Sequence, residues 1–542
     1  MATYYFRNTG DVNWGTASNW SLTDGGGATG AVPTSADDAY FTSNSGNCTV
    51  NASSRVCKTL IFSGVGAGNY ANTITMTNQI TVSGNITLSS GMTISGTGNL
   101  LTNATCTFTS NTKTFPNTLI PSANITFADA FTITNDLDLR GNITVTLSAS
   151  GTARDLLNNF GGGAFTITLN GVGFILSLTR NLTVGARAIS GTAKVKMICS
   201  SGTGTWSSSG QYINTDLEID ATASITISGT VYWGGTGTLK YTNVGGTFTT
   251  TGSTLVINGN NTLDLANSSW ATLSVTGGTT TISNTNGTAT FSAINNTNAI
   301  TAINLNTGTL NISGGATFNG SRSVDGSGTL NFNGTGTITG SSGWTTNVTV
   351  NTSGTITFGT LTWGTTSRTW THTAGTTAPG TGTFTVNTNS TFSVASSGFI
   401  VYNMDFTGTI TINTGTITMN NNLTLSGSTT FAGTGGWTAA NFTDTTAGRS
   451  LTLKDGSTYT VTSVLSLTGT NASRWTITSS SATLRAIFTL SQGASQSMVY
   501  VNGTRVDSSG GQTVWSLGGT LTDTINWNNG ARPAPFNTLR MA

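Results

Sequence analysis

The chain is 542 residues long and sets 20 Lys and Arg against 18 Asp and Glu, for a net charge of +2. Charged residues make up 7% of it, where an ordinary soluble domain has about 25%, and the six Lys and 14 Arg are too scattered for the basic stripe of a nucleic-acid binder. Thr is about a fifth of the residues, Gly numbers 70, and Glu occurs once, at Glu218; so few helix formers beside so much of a strand former exclude a helical fold.

Hydrophobic residues are 36% of the chain and recur at regular spacing, which predicts a folded protein rather than a disordered one. No apolar run, the longest lying near Gly173 to Leu178, approaches the roughly 18–20 residues of a membrane span, so no membrane insertion is expected. The opening Met1-Ala2-Thr3-Tyr4-Tyr5-Phe6 has neither the basic nor the apolar stretch of a secretory signal.

Residues 1–64 read as an N-terminal cap or attachment region, with Trp14, Trp20, Pro33 and the Cys48/Cys57 pair. Cys48 and Cys57 flank one short segment and are candidates for a disulfide, two packed thiols being the alternative. Cys106 and Cys199 read as buried small hydrophobes. The four cysteines lack metal-site spacing, and no cofactor motif occurs.

Residues 65–440 alternate apolar and polar side chains in short runs, as in Ile80-Thr81-Val82, Ile125-Thr126-Phe127, Leu310-Asn311-Ile312 and Phe384-Thr385-Val386. Each is a strand with one buried face, separated from the next by Gly, Asn, Ser and Thr turn residues. The phrase Gly-Thr-Gly recurs, at Gly96-Thr97-Gly98, Gly235-Thr236-Gly237 and Gly380-Thr381-Gly382, with Gly326-Ser327-Gly328 as a variant. Repeats of roughly 20–25 residues built from short strands predict a right-handed parallel β-helix, a β-solenoid of about 20 rungs of 20–24 residues with capped ends. One stretch fixes the register: Val195, Leu217, Leu239 and Leu263 follow at intervals of 22, 22 and 24 residues and should stack inward. Lys196, Glu218, Lys240 and Asp264 would then form an outward ladder of alternating charge. Residues 441–530, with Trp475, Trp515 and Trp527, read as the last rungs and a C-terminal cap; 531–542 read as an irregular tail that Pro533 and Pro535 keep out of a sheet.

Three places invite a chemical reading. Asp216, Glu218 and Asp220 alternate on one strand, and carboxylates at suitable separation are what glycoside hydrolysis uses; Asp136 and Asp138 form a second pair. Neighbouring Lys194, Lys196 and Lys240 would hold the first group ionised, which favours a structural ladder over a catalytic acid. From Trp363 to His372, the residues Arg368, Trp370 and His372 alternate and should share a face, where an exposed Trp beside Arg and His would stack a sugar ring or anchor a partner. Asp325-Gly326-Ser327-Gly328 and Asp455-Gly456-Ser457 resemble fragments of calcium loops without the full ligand set and read as turns, and Gly161-Gly162-Gly163 lacks the Lys-Ser/Thr of a phosphate loop.

The string Trp14, Trp20-Ser21, Pro33, Asp37-Asp38 and Phe41, the Gly-Thr-Gly-Thr-Leu phrases, and the late Asp507-Ser508-Ser509-Gly510-Gly511, Trp515, Asp523 and Asn526-Trp527 resemble β-solenoid surface proteins. They are similar to the tail fibres and tail spikes of tailed phages and to bacterial autotransporter-type adhesins. Autotransporters carry a signal peptide and a C-terminal membrane barrel, neither of which is read here, whereas virion proteins need neither. The resemblance therefore implies a non-enzymatic structural and adhesive virion protein, a tail fibre, spike or head fibre. It also implies a homotrimer whose partners are other virion proteins and a host-surface glycan. The alternatives are a secreted adhesin or filament component at the cell surface, a polysaccharide depolymerase on the same fold, and a purely structural capsid-decorating or sheath component.

Overall fold

The computed structural model describes residues 1–533 apart from 52, 63–67, 159–165, 186, 221, 243–244, 251, 266–267, 284–287, 297–301, 307, 319–323, 365–366, 388 and 395–397. The chain is a β-solenoid of about 21 stacked turns with parallel sheets. Among the described residues the helical structure is a single three-residue turn, Ala17–Asn19. Two compact units divide the chain, one built on Met1–Ala271 and a second that begins at Thr272.

Period-two alternation produces this fold because each short strand buries every second side chain and hydrogen-bonds to the strand one turn on. In the first unit Ile80, Leu100, Leu119, Leu137, Leu156, Leu182, Trp206 and Ile227 occupy one register position on successive strands, and all eight are buried. Each such side chain contributes about 1.5–3 kcal/mol of transfer free energy. The steps along this column run from 18 to 26 residues, a wider spread than the expected rung of 20–24. The Gly-Thr-Gly phrase has a steric cause: a Cβ at Gly96 would stand 2.2 Å from the Met76 carbonyl oxygen, and one at Gly98 2.1 Å from that of Asn78. Turn backbones there stack directly on those of the preceding coil, and Gly96 also adopts φ +87°.

The start of the first unit is an aromatic cluster. Phe6, Trp14, Trp20, Phe41, Phe62 and Tyr70 are buried together, with Trp14 and Trp20 rings 5.0 Å apart and Phe41 and Phe62 stacked at 4.7 Å. Trp20 donates its indole N–H to the Trp14 carbonyl at 2.8 Å. Asp37, on the acidic turn, accepts from the Thr34 hydroxyl at 2.6 Å and from the Ala2 amide at 2.8 Å.

The second unit uses the same parallel pairing over a core richer in aromatic rings. Trp363, Trp370, Phe384, Phe392 and Phe399 pack with centroid separations such as 4.9 Å for Trp370–Phe384 and 5.2 Å for Trp363–Phe392. Near the end of the unit Val514–Ser516 pairs with Trp527–Asn529. Residues 534–542, with Pro535, and Gly161-Gly162-Gly163 lie outside the described residues.

Candidate functional site

The predicted register of the charged stretch is observed. Val195, Leu217, Leu239 and Leu263 pair in succession, and so do Lys196, Glu218, Lys240 and Asp264. The column extends further than the sequence suggested: Thr132 pairs with Thr152, Thr152 with Ser177 and Ser177 with Lys196. It thus runs in register as Thr132, Thr152, Ser177, Lys196, Glu218, Lys240 and Asp264. At the last rung Asp264 keeps the outward register of Lys240 but is itself buried, at 7% exposure.

The acidic group is tied down by lysines. Glu218 meets Lys194 at 3.0 Å and Lys196 at 3.1 Å, and Lys196 also meets Asp220 at 2.6 Å. Partial burial works to raise the Glu218 carboxyl, but hydrogen bonds from Lys194 and Lys196 outweigh it and hold the group below the usual carboxylate range. Asp220 in turn pushes the Lys196 ammonium up. Asp216 precedes the strand Leu217–Ile219 and accepts the Thr238 backbone N–H at 2.8 Å. It braces the next turn of the coil, while Lys194 and Lys196 occupy the Glu218 and Asp220 carboxylates.

A denser network surrounds Asp155, a residue the sequence does not single out. Asp155 is buried and pairs in register with Asp136 on the neighbouring strand. Arg180 grips Asp155 with Nε to Oδ1 at 2.9 Å and Nη2 to Oδ2 at 2.5 Å. Arg154 donates from Nε to Asp155 at 3.0 Å and from Nη2 to Asp136 at 2.7 Å; the Asn181 amide completes the shell at 2.9 Å. Burial opposes ionisation of Asp155, but Arg180 and its other donors hold the carboxyl below its ordinary value. Asp136 moves the other way, raised by burial and by the Asp155 carboxylate beside it. Asp138 sits apart from both, in an ion pair with Arg140 at 2.7 Å. The sequence signal for this network is faint, because Asp136 and Asp155 are 19 residues apart while Arg154 and Arg180 are 26 apart.

The aromatic segment is corrected by the structure. Trp363, Trp370 and His372 are 0–1% exposed and cannot present a sugar-binding face. Trp370 stands in register between Val348 and Phe392, and His372 between Val350 and Val394, so the alternation points both side chains into the core. Arg368 precedes that strand and donates from Nε to the Thr345 carbonyl. The Trp363 indole donates to the Thr346 carbonyl at 3.0 Å. Burial pulls the His372 imidazole below its ordinary value, against the opposing Gly375 backbone.

The disulfide candidate is likewise corrected: Cys48 and Cys57 are free and buried. Cys48 pairs in register with Ile74 and Cys57 with Val82, in different sheets, so the two thiols pack into the core separately. Burial raises both thiols, and pushes Cys106 up to about 11, which leaves them poor nucleophiles. Asp325 accepts the Thr345 hydroxyl at 2.7 Å, and Asp455 binds Lys454 at 2.6 Å. Among the described residues no group of three or more His, Cys, Asp and Glu side chains is placed to hold a metal ion. Comparison with protein-family models, with curated proteins and with solved structures gave no match.

Proposed function

We propose that this protein is a structural and adhesive component of a virion, a fibre or spike of a tailed phage, that makes contacts through the polar outer faces of its coils. The observation that carries the reading is the chemistry of those faces: in-register columns of hydroxyl, amide and self-neutralised charged side chains over a continuous apolar stack. Such columns offer many weak, repeated contacts, and repetition converts weak contacts into firm attachment. Two features weigh against catalysis as the main role. Glu218, central to the suspected acidic group, is held ionised by Lys194 and Lys196, and the suspected aromatic platform is core. The resemblance of the N-terminal aromatic and acidic string to phage solenoid proteins supports the virion, and a homotrimer is proposed on the same ground.

Negative-stain imaging of native source particles with an antibody against this chain tests the reading. Label on tail or head appendages is the expected result. Label on a cell surface or extracellular filament, with none on virions, would replace it with the secreted adhesin. Light scattering on the purified chain is expected to give three copies per particle.

A further inference from the structure

We infer that the groove beside Arg154 and Arg180 is a binding site for a polysaccharide bearing carboxylate groups, an inference that rests on the adhesive reading and names the class of surface it would meet. The groove holds about 210 Å³ and is lined by Thr132, Thr152, Arg154, Thr179, Arg180 and Ser201, among others. Its donors are already in place. Arg180 uses Nε and Nη2 on Asp155, and Arg154 uses Nε and Nη2 on Asp155 and Asp136. The Nη1 group of each arginine has no protein acceptor among the described residues, and the hydroxyls of Thr132, Thr152, Thr179 and Ser201 make no hydrogen bond there either.

The buried carboxylate behind the groove explains why these arginines suit recognition. Asp155 fixes both guanidinium planes, so little side-chain freedom is lost when their outer N–H groups meet a ligand. A planar guanidinium matches a carboxylate better than it matches a neutral hydroxyl. Hydroxyls donate and accept together, which suits the ring hydroxyls of a sugar. Thr132 and Thr152 sit on neighbouring strands of one column, with Thr179 and Arg180 just beyond the strand Ile175–Leu178 of the next coil. The donors therefore step across coils at ~4.8 Å intervals, as an extended polymer chain would need.

Calorimetric titration of the full chain with polygalacturonate fragments, and with dextran of equal length as the neutral control, tests the site. Polygalacturonate should bind at least about tenfold more tightly than dextran, and Thr134→Glu or Ser201→Glu should weaken it by about tenfold, the cost of one like charge in the groove. Both substituted positions are exposed and line the groove, and an unchanged thermal midpoint verifies the fold of each variant. Equal binding of the two polymers, or unchanged affinity in both variants, would overturn the inference. Particle labelling fails or succeeds independently: uronate binding without virion label leaves this site standing and removes only the virion assignment.

Discussion

The two units place different chemistry on the same parallel backbone. The first unit's outer column passes from Thr132, Thr152 and Ser177 to Lys196, Glu218, Lys240 and Asp264. The second unit has a column of six threonines, Thr409, Thr430, Thr452, Thr478, Thr504 and Thr522. In a parallel stack, equivalent side chains lie ~4.8 Å apart, so a repeated charge repels its own copy. Charges must alternate in sign or find partners, as Lys196, Glu218 and Lys240 do. A threonine can repeat indefinitely, because a hydroxyl both donates and accepts. Asn behaves likewise: Asn441 donates to Asn421 at 3.0 Å and Asn421 to Asn403 at 3.0 Å. The low charge and high Thr content of the whole chain follow from this constraint.

If the inward stacks carry stability in both units, the largest effects come from truncating them. Trp370→Ala in the second unit should cost about 3–5 kcal/mol and Leu239→Ala in the first about 2–5 kcal/mol, read by denaturant unfolding. Trp370→Phe should cost less than about 1.5 kcal/mol, since the Trp370 indole N–H has no hydrogen-bond partner to lose. A loss on Trp370→Phe as large as on Trp370→Ala would mean that the indole does more than fill the core.

The outer columns should separate the units next. Asp155→Ala removes the shared acceptor of Arg154 and Arg180, whose side chains are themselves over a third exposed, and should cost about 1.5–3 kcal/mol. Thr452→Ala should stay within about 0.5 kcal/mol, as for a surface site away from caps and cores. Comparable losses from the two changes would erase the distinction.

Acid should act on the units in a set order. The His372 proton affinity is depressed by burial, so its contribution is complete above about pH 6.5, the ordinary value. That contribution is lost as pH falls from there toward the folded value. Glu218 and Asp155 are depressed carboxyls, whose contribution persists above about pH 4 and is lost only below it. Asp136, raised by burial, works weakly against them. Circular dichroism melts of the full chain should show a softening as pH falls below about 6.5 that His372→Phe removes. A softening that survives His372→Phe would place it elsewhere.

Much of this architecture is legible in the sequence because strand alternation is a local signal. The Val195, Leu217, Leu239 and Leu263 spacing exposes the register directly, since the turns between those strands happen to be of similar length. The same alternation identifies that Arg368, Trp370 and His372 share a parity but not which parity faces inward; that depends on Val348 and Phe392 on adjacent coils. Cys48 and Cys57 are close in sequence, yet a turn carries them into separate sheets. Asp155 is missed because Asp136 lies 19 residues before it and Arg180 25 residues after it, spacings that only the folded turns reconcile.

A small effect that depends on salt is expected at Glu218. Glu218→Gln should cost about 0.5–1 kcal/mol at low salt and less at high salt, where partly exposed ion pairs are screened. Region-resolved hydrogen exchange of the intact chain at low and high ionic strength tests the contrast between the columns most directly. Alternating charges predict faster exchange with added salt in Lys194–Met197 and Leu217–Ile219, and no change in Ser450–Leu453 and Trp475–Ser479. An equal response to salt in the two sets of strands would contradict the claim that charge pairing helps to hold the first column and has no part in the second.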